Sequence, residues 1–392
     1  MSIAIKIEKT IETSSWIRKM FEAGARLKAE HGAVNVFDFS LGNPNLEPPE
    51  EFYTAMAEAV NDTAPGLHGY MPNAGYPHVR EAVAKTVSHY QGREVTANDI
   101  IMTCGAAGGL NIICKALLNP GEQVLVPAPY FVEYGAYADN HGGVLKTVPT
   151  GDKFALDIDA LAQGITEQTR IVLINSPNNP TGAVYTREEL GALGDLLRTK
   201  SKEFDRTIYL VSDEPYTRIV FDGTQVPPVF EFYEESLVVT SHSKDLSLAG
   251  ERIGYVTVNP GAQYRAALVG AMTLANRTLG FVNAPAMIQR VLPKLQDASV
   301  DIGAYKRKRD LLCEGLGAAG YEFDIPRGTF YLFVKSPLKD DVEFVRVLQK
   351  ELILAVPGSG FGGPGYFRLA FCVDDHTITA AMPAFKRALK NI

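Results

Sequence analysis

The chain has 392 residues with 38 basic and 45 acidic side chains, a formal net charge of −7, and no long run of either sign. That balance excludes a sequence-independent nucleic-acid binder, which needs a concentrated basic face, and it leaves room for a local basic site that takes small acidic metabolites. A hydrophobic fraction of 46% with 35 Gly and 23 Pro excludes a disordered or fibrous chain, and at about 150 residues per domain the length suits two to three domains.

At the N-terminus, MSIAIKIEKT carries Lys6, Glu8 and Lys9, which interrupt the apolar stretch that a signal peptide needs. No window reaches the roughly 18 apolar residues of a membrane span, so a cytoplasmic protein with no membrane partner is expected. Cys104, Cys114, Cys313 and Cys372 show no C-x-x-C or C-x-x-H spacing. No metal site and no disulfide framework are expected, and the cysteines read as free thiols of a reducing compartment.

In chain order, a helix is expected over roughly Thr13 to Glu30. The run Ile100 to Thr103 reads as a strand, followed by CGAAGG and a helical pattern through Leu118. Gln123 to Val126 is a strand closed by Pro127 and Pro129, and Ile171 to Ile174 is a wholly apolar run ending at SPNNPTG. Thr186 to Thr199 is helical and opens with TREE, a capping-box signature. Ile208 to Val211 ends at SDEPY, and Leu237 to Val239 ends at SHSK. Apolar runs this short and continuous suit strands buried on both faces of a parallel sheet, and alternation with helices implies an α/β fold. Ligands in such sheets sit beyond the carboxyl ends of the strands, where the polar motifs fall one after another.

Beyond this region, Ala262 to Leu279 and Ala284 to Gly315 read as long helices. Strands at Phe330 to Val334 and Tyr366 to Phe371 then mix with helices at Asp341 to Glu351 and Thr377 to Lys390. The pattern predicts a large domain over 45–285 and a smaller α+β domain from 1–44 and 286–392. GSGFGG, with Gly358, Gly360 and Gly363, matches a dinucleotide fingerprint in letters only. Pro364, Gly365 and a strand-like YFRLAF follow where a helix would have to open for the pyrophosphate, so a glycine-rich surface or active-site loop is expected.

Four strand ends carry the chemistry. SPNNPTG holds Asn179, SDEPY holds Asp213 and Tyr216, SHSKDLSLAGER holds Lys244 and Arg252, and FRLAF holds Arg368. Singly each has an ordinary explanation: a turn, a helix cap, a solvated lysine, a structural ion pair. Together they form a kit. A lysine shielded from water can form a Schiff base with an aldehyde, and an aspartate against a pyridine nitrogen keeps that nitrogen protonated. The protonated ring then acts as an electron sink. A tyrosine and an asparagine can hydrogen-bond the ring oxygen. Serine hydroxyls, Arg252 and the N–H groups at the GAAGG helix start can hold a phosphate. Each part suits pyridoxal 5'-phosphate.

These motifs, with SLGNP and YMPNAGYPHVREAVA upstream, span most of the chain and resemble the class I/II aminotransferases of PLP fold type I, the aspartate aminotransferase superfamily. The resemblance implies an α/β fold whose large domain has a mostly parallel seven-stranded sheet flanked by helices, with a smaller α+β domain built from both chain ends. It implies that Lys244 carries the Schiff base and shuttles the substrate proton, that Asp213 pairs with the pyridinium nitrogen, and that Tyr216 and Asn179 contact the ring oxygen. Ser241, Ser243, Arg252 and the Gly105–Ala106–Ala107 turn would hold the phosphate, and Phe131 would stack on the ring. Arg368 would clamp the substrate α-carboxylate beside the backbone of Gly42, with Asn179 touching the same group. Tyr70 would reach the phosphate site of a second subunit, which implies a homodimer with shared active sites.

The implied reaction moves the amino group of an L-amino acid to a 2-oxo acid, with aspartate-type or broad specificity as the first expectation. Alanine or aromatic donors, or C–S β-lyase chemistry, are the alternatives. Aspartate-specific relatives of the matching subgroup often place a lysine where this chain has Ala107, and others use an arginine from the partner subunit. Arg277 is the candidate for that cation, its alternative being an ordinary surface arginine.

Overall fold

A computed structural model of the chain describes residues 3–5, 7–8 and 16–392. Its strands run in chain order β1 (Phe37–Asp38), β2 (Ile100–Thr103), β3 (Gln123–Ala128), β4 (Val144–Pro149), β5 (Thr169–Asn175), β6 (Tyr209–Asp213), β7 (Ser236–Ser241), β8 (Gly254–Val258), β9 (Tyr331–Lys335), β10 (Ile353–Leu354), β11 (Val356–Pro357) and β12 (Tyr366–Ala370). Seven of them form one sheet in the order β2-β8-β7-β6-β5-β3-β4. All neighbours pair in parallel except at β8, which runs antiparallel to both β2 and β7.

The apolar runs are strands because both faces are covered. Successive side chains of a strand point to opposite faces. Leu125, Val172, Ile174, Leu210 and Val238 pack into one core, and their neighbours Val124, Ile171, Leu173, Val211 and Val239 pack into another on the reverse side. Neither face meets water, so hydrophobicity does not alternate. The expected helix at Thr186 is Arg187–Glu203. It is closed by a capping box in which Thr186 accepts from the Glu189 backbone and Glu189 accepts from the Thr186 backbone.

A third core gathers around the antiparallel strands β11-β12-β9 and the parallel pair β1-β10. Phe37 pairs with Ile353 and Asp38 with Leu354, which ties the N-terminal segment to the C-terminal unit. The first helix spans Trp16–His31 and buries Met20 in the same core; its expected start at Thr13 lies outside the described residues. Ile288, Val291, Leu292 and Leu295, beyond the expected boundary at 285, pack with Phe52 and Val79. The proposed division into two units therefore carries residues 286–295 with the large one.

One expected element is corrected. Instead of a single helix from Ala284 to Gly315, helices Ala286–Val291 and Ile302–Ala319 flank a 3₁₀ turn at Leu292–Leu295. Pro293 lacks the N–H that an α-helix would need there. GSGFGG forms a short 3₁₀ turn, Gly358–Phe361, between β11 and β12, and no helix opens after it.

Candidate active site

Strands β5, β6 and β7 are parallel, so their carboxyl ends lie along one edge, where Asn175 stands opposite Asp213 in register. A cavity of about 320 Å³ opens at this edge, between the large sheet and the C-terminal unit. Of the residues expected from sequence, Gly42, Ala106, Ala107, Phe131, Asn179, Asp213, Tyr216, Ser241, Ser243, Lys244, Arg252 and Arg368 line it. Gly105 adjoins it, at the start of helix Gly105–Leu117. Tyr70 does not line it; its side chain is 95% exposed.

Asp213 ends β6 and is 5% exposed. Its Oδ2 accepts a 2.6 Å hydrogen bond from the Tyr134 hydroxyl, while the buried Oδ1 has no partner among the described residues. Burial raises this carboxyl to about 7, against the opposing pull of the Tyr134 hydrogen bond. Lys244 follows β7 and donates from Nζ to the Gly42 carbonyl at 2.9 Å, with the amine 5.4 Å from the centre of the Phe330 ring. Desolvation lowers it to about 8, and the nearby Arg368 and Arg252 cations add to that shift.

Arg368 comes from β12 and is 2% exposed. One guanidinium nitrogen donates to Asn179 Oδ1 at 3.1 Å and another to the Ser40 carbonyl at 2.7 Å. Its Cζ lies 4.4 Å from the centre of the Tyr331 ring and 4.6 Å from that of the Phe361 ring, so the GSGFGG turn supplies one wall of this clamp. Nε has no hydrogen-bond partner among the described residues. Among the described residues no carboxylate pairs with this guanidinium, and burial lowers its pKa. The Tyr216 and Tyr331 hydroxyls are 3.3 Å apart. A Cβ on Gly42 would fall 1.7 Å from the Tyr331 hydroxyl, so only glycine lets the chain pass here.

At the opposite end of the cavity, helix Gly105–Leu117 starts at Cys104 without a side-chain cap. Its first N–H groups are therefore available to an anion. Arg252 lies against this turn: its guanidinium donates to the Ala249 carbonyl at 3.0 Å and the Cys104 carbonyl at 3.4 Å. Gly105 has φ +70°, and a Cβ there would meet the Arg252 guanidinium at 2.8 Å. Sequence reasoning missed Tyr134, Tyr137, Asn175 and Tyr331, which also shape the site. Asn175 alone had a visible signal, as the last residue of an apolar strand beside SPNNPTG.

The sequence and the architecture match known proteins. The family model described as aminotransferase class I and II matches residues 34–385. The aspartate/prephenate aminotransferase of Thermus thermophilus is 31% identical, with 93% of each chain covered. Aromatic-amino-acid aminotransferase 2 of Thermococcus litoralis is 29% identical over 96% of each. A crystal structure of an amino transferase from Eubacterium rectale superposes with a TM-score of 0.96 at 41% identity, covering 100% of this chain and 99% of that one. The chain belongs to the class I and II aminotransferases and is a pyridoxal 5'-phosphate-dependent aminotransferase. Among the described residues no helix is long and apolar enough to cross a membrane, and no group of three or more His, Cys, Asp or Glu is arranged to hold a metal ion.

Proposed function

We propose that Lys244 is the residue that bonds the cofactor and moves the substrate α-proton, and that the favoured donor is an aspartate-type amino acid. The observation that carries this reading is the unpartnered, buried Oδ1 of Asp213, in one cavity with a desolvated amine and a guanidinium free of carboxylates. That donor set fits pyridoxal 5'-phosphate. When bound, the cofactor supplies an aldehyde that takes up the amino group and a protonated pyridine ring that withdraws electrons from the α-carbon.

The chain's own residues divide the remaining work. Asp213 Oδ1 holds the proton on the ring nitrogen, since opposite charges favour each other's ionised forms. Tyr216, Asn179 and Phe131, which line the same cavity, would hold the ring, the first two by hydrogen bonds to its oxygen and Phe131 by packing. Ser241, Ser243, Arg252 and the Gly105–Ala106–Ala107 turn hold the phosphate. Arg368 binds the α-carboxylate, with Asn179 and the Gly42 backbone beside it. Lys244 Nζ takes the α-proton and would deliver it to the aldehyde-derived carbon of the cofactor, so that the substrate leaves as a 2-oxo acid without its amino group. The same Arg368 and Lys244 would serve a 2-oxo acid as the amino-group acceptor, Arg368 on its carboxylate and Lys244 as the proton donor.

The aspartate-type reading is supported by the Thermus relative, named for aspartate and prephenate. Lys244, Arg252 and Arg368 are the cations lining the cavity, and all three already have tasks. A distal carboxylate therefore needs a cation from a second copy, and the exposed Arg277 is the candidate. A homodimer, into whose partner cavity the exposed Tyr70 also reaches, belongs to the same proposal. The free cysteines fit a reducing cytoplasm. The lack of a fourth, unassigned cation in the cavity lining favours a second reading, an aromatic donor, as in the name of the Thermococcus relative.

The test mixes the cofactor-loaded protein with single amino acids and no 2-oxo acid, and follows the cofactor spectrum. Conversion to the pyridoxamine form by aspartate or glutamate supports the first reading, and conversion by aromatic amino acids alone supports the second. Spectral binding without conversion, followed by pyruvate and ammonia release from a cysteine conjugate, would overturn both in favour of a C–S β-lyase. Turnover by Lys244→Ala at a near-normal rate would sink the residue assignment.

A further inference from the structure

Behind the sheet edge lies a second, narrower chamber of about 50 Å³, whose lining includes Gln91, Glu214, Arg218, His242, Asp245 and Tyr255. Its polar groups are the immediate neighbours of those that line the front cavity. Asp213 faces the front cavity and Glu214 the rear chamber; Ser241, Ser243 and Lys244 face the front, and His242 and Asp245 the rear. The wall between the two spaces is thus the chain segment that carries Lys244.

His242 and Asp245 are 6% and 7% exposed. His242 Nδ1 lies 3.2 Å from Asp245 Oδ2, so the two side chains close a loop around Ser243 and Lys244 from behind. The clasp is anchored on both sides. The His242 backbone N–H donates to the Ile253 carbonyl at 3.1 Å, and its carbonyl accepts from the Leu248 N–H at 3.1 Å. The Asp245 carbonyl accepts from the Val300 N–H at 2.8 Å, and the Arg218 Nε is 3.9 Å from Asp245 Oδ2.

For stability alone this pair is a poor choice. His242 Nε2 and Asp245 Oδ1 are buried with no partner among the described residues, and burying half-satisfied polar groups costs more than an apolar pair of similar shape. A polar pair kept at such a place calls for a task other than packing. We propose that His242 and Asp245 are positioning residues: their clasp sets where the Lys244 amine and the Ser243 hydroxyl stand in the front cavity, and so tunes cofactor capture and proton transfer. The inference rests on the roles given above to Lys244 and Ser243.

The experiment uses full-length protein in His242→Phe, Asp245→Ala and the double variant, with His242→Asn as the conservative replacement. It reads the cofactor dissociation constant by spectroscopic titration of the apoenzyme, the single-turnover rate with an amino donor, and the melting temperature of the apoenzyme. Each single variant is expected to lose about tenfold in cofactor affinity and in single-turnover rate. The double variant should be no worse than the poorer single one, because both remove the same interaction. Its melting temperature should stay within a few degrees of wild type, since removing both partners together leaves neither of the pair orphaned and Arg218 still donates to the Gln296 and Ala298 carbonyls. His242→Asn, which can still donate to Asp245, should recover to within about threefold of wild type.

Unchanged affinity and rate in the double variant overturn the proposal, as do additive losses in the two single ones. Losses that follow the melting temperature and are not rescued by Asn also overturn it, because they describe a structural role. If the double variant does not fold, His242→Asn against His242→Ala decides, and equal rates reject the clasp. Lys244→Ala is run alongside. If it turns over, the underlying assignment of Lys244 falls; if it is inactive while the clasp variants match wild type, only the clasp falls.

Discussion

The Tyr134 hydroxyl holds one oxygen of the Asp213 carboxylate at 2.6 Å and leaves the other without a partner among the described residues. Tyr134 is itself fully buried, and burial beside Asp213 raises its phenol far above the usual range, so it remains a donor. The hydrogen bond favours the ionised carboxylate, opposing the effect of burial. Tyr134→Phe removes that support. Hydrogen bonds to charged groups are worth about 1.5–3 kcal/mol, so cofactor affinity should fall by about 10- to 100-fold, with a slower half-reaction. Spectroscopic titration of the apoenzyme checks the first effect and stopped-flow absorbance the second.

Arg368 has a different dependence on substrate. It hydrogen-bonds Asn179 and Ser40 and lies over the Tyr331 and Phe361 rings. A lysine cannot reproduce the planar fork or its contact with the rings. Arg368→Lys should lower kcat/KM by about 100-fold, as expected when a buried charge partner for a carboxylate is lost. The loss should appear for every donor alike, because the α-carboxylate is common to all of them, while cofactor content stays at wild-type level. A loss confined to aspartate and glutamate would instead place Arg368 on a side-chain carboxylate.

Capture of the cofactor by the apoenzyme needs the neutral amine of Lys244, since only that form attacks an aldehyde. Desolvation lowers this lysine to about 8 from the ordinary 10.5. At pH 7 about a tenth is then neutral, against well under a thousandth for an unshifted lysine. The capture rate should climb about tenfold between pH 6 and 7 and level off above about pH 8.5. Stopped-flow absorbance across pH 6 to 10 measures it, and a rise that continues to pH 10 would contradict the desolvated amine.

The parts of the fold visible in the sequence were those set by local pattern. Continuous runs such as Ile171 to Ile174 marked strands covered on both faces, T-x-x-E marked the helix after Thr186, and the motifs at strand ends converged on one edge because β5, β6 and β7 are parallel. What was hidden depends on contacts across long stretches of chain. Tyr134 and Asp213 are 79 residues apart, and Tyr216 and Tyr331 are 115 apart. A tyrosine in an amphipathic helix or an apolar strand carries no mark of the partner that its hydroxyl will meet. Pro293 marks a break that the helical pattern on either side of it masks, and the rear placement of His242 and Asp245 depends on the turn that carries Lys244.

Asp213 also links the site to stability. Burial raises its folded-state value to about 7 from an ordinary 3.8, so between these limits the folded apoenzyme holds a proton that the unfolded chain releases. A carboxyl with a raised folded pKa therefore subtracts from stability as pH climbs through this window, and the loss levels off above about 7. Asp213→Asn has no proton to release. The apoenzyme variant should melt at nearly the wild-type temperature at pH 4, exceed it by a margin that widens toward pH 7, and keep that margin at pH 8. The full difference is of order 4 kcal/mol by linkage, several degrees for a protein of this size. Cofactor binding should shrink the gap, because the pyridinium neutralises wild-type Asp213 and leaves the asparagine with nothing to pair. Melting curves of both proteins, with and without cofactor, at pH 4, 6 and 8 test the argument. A margin that is constant with pH would mean that Asp213 is already ionised in the empty site.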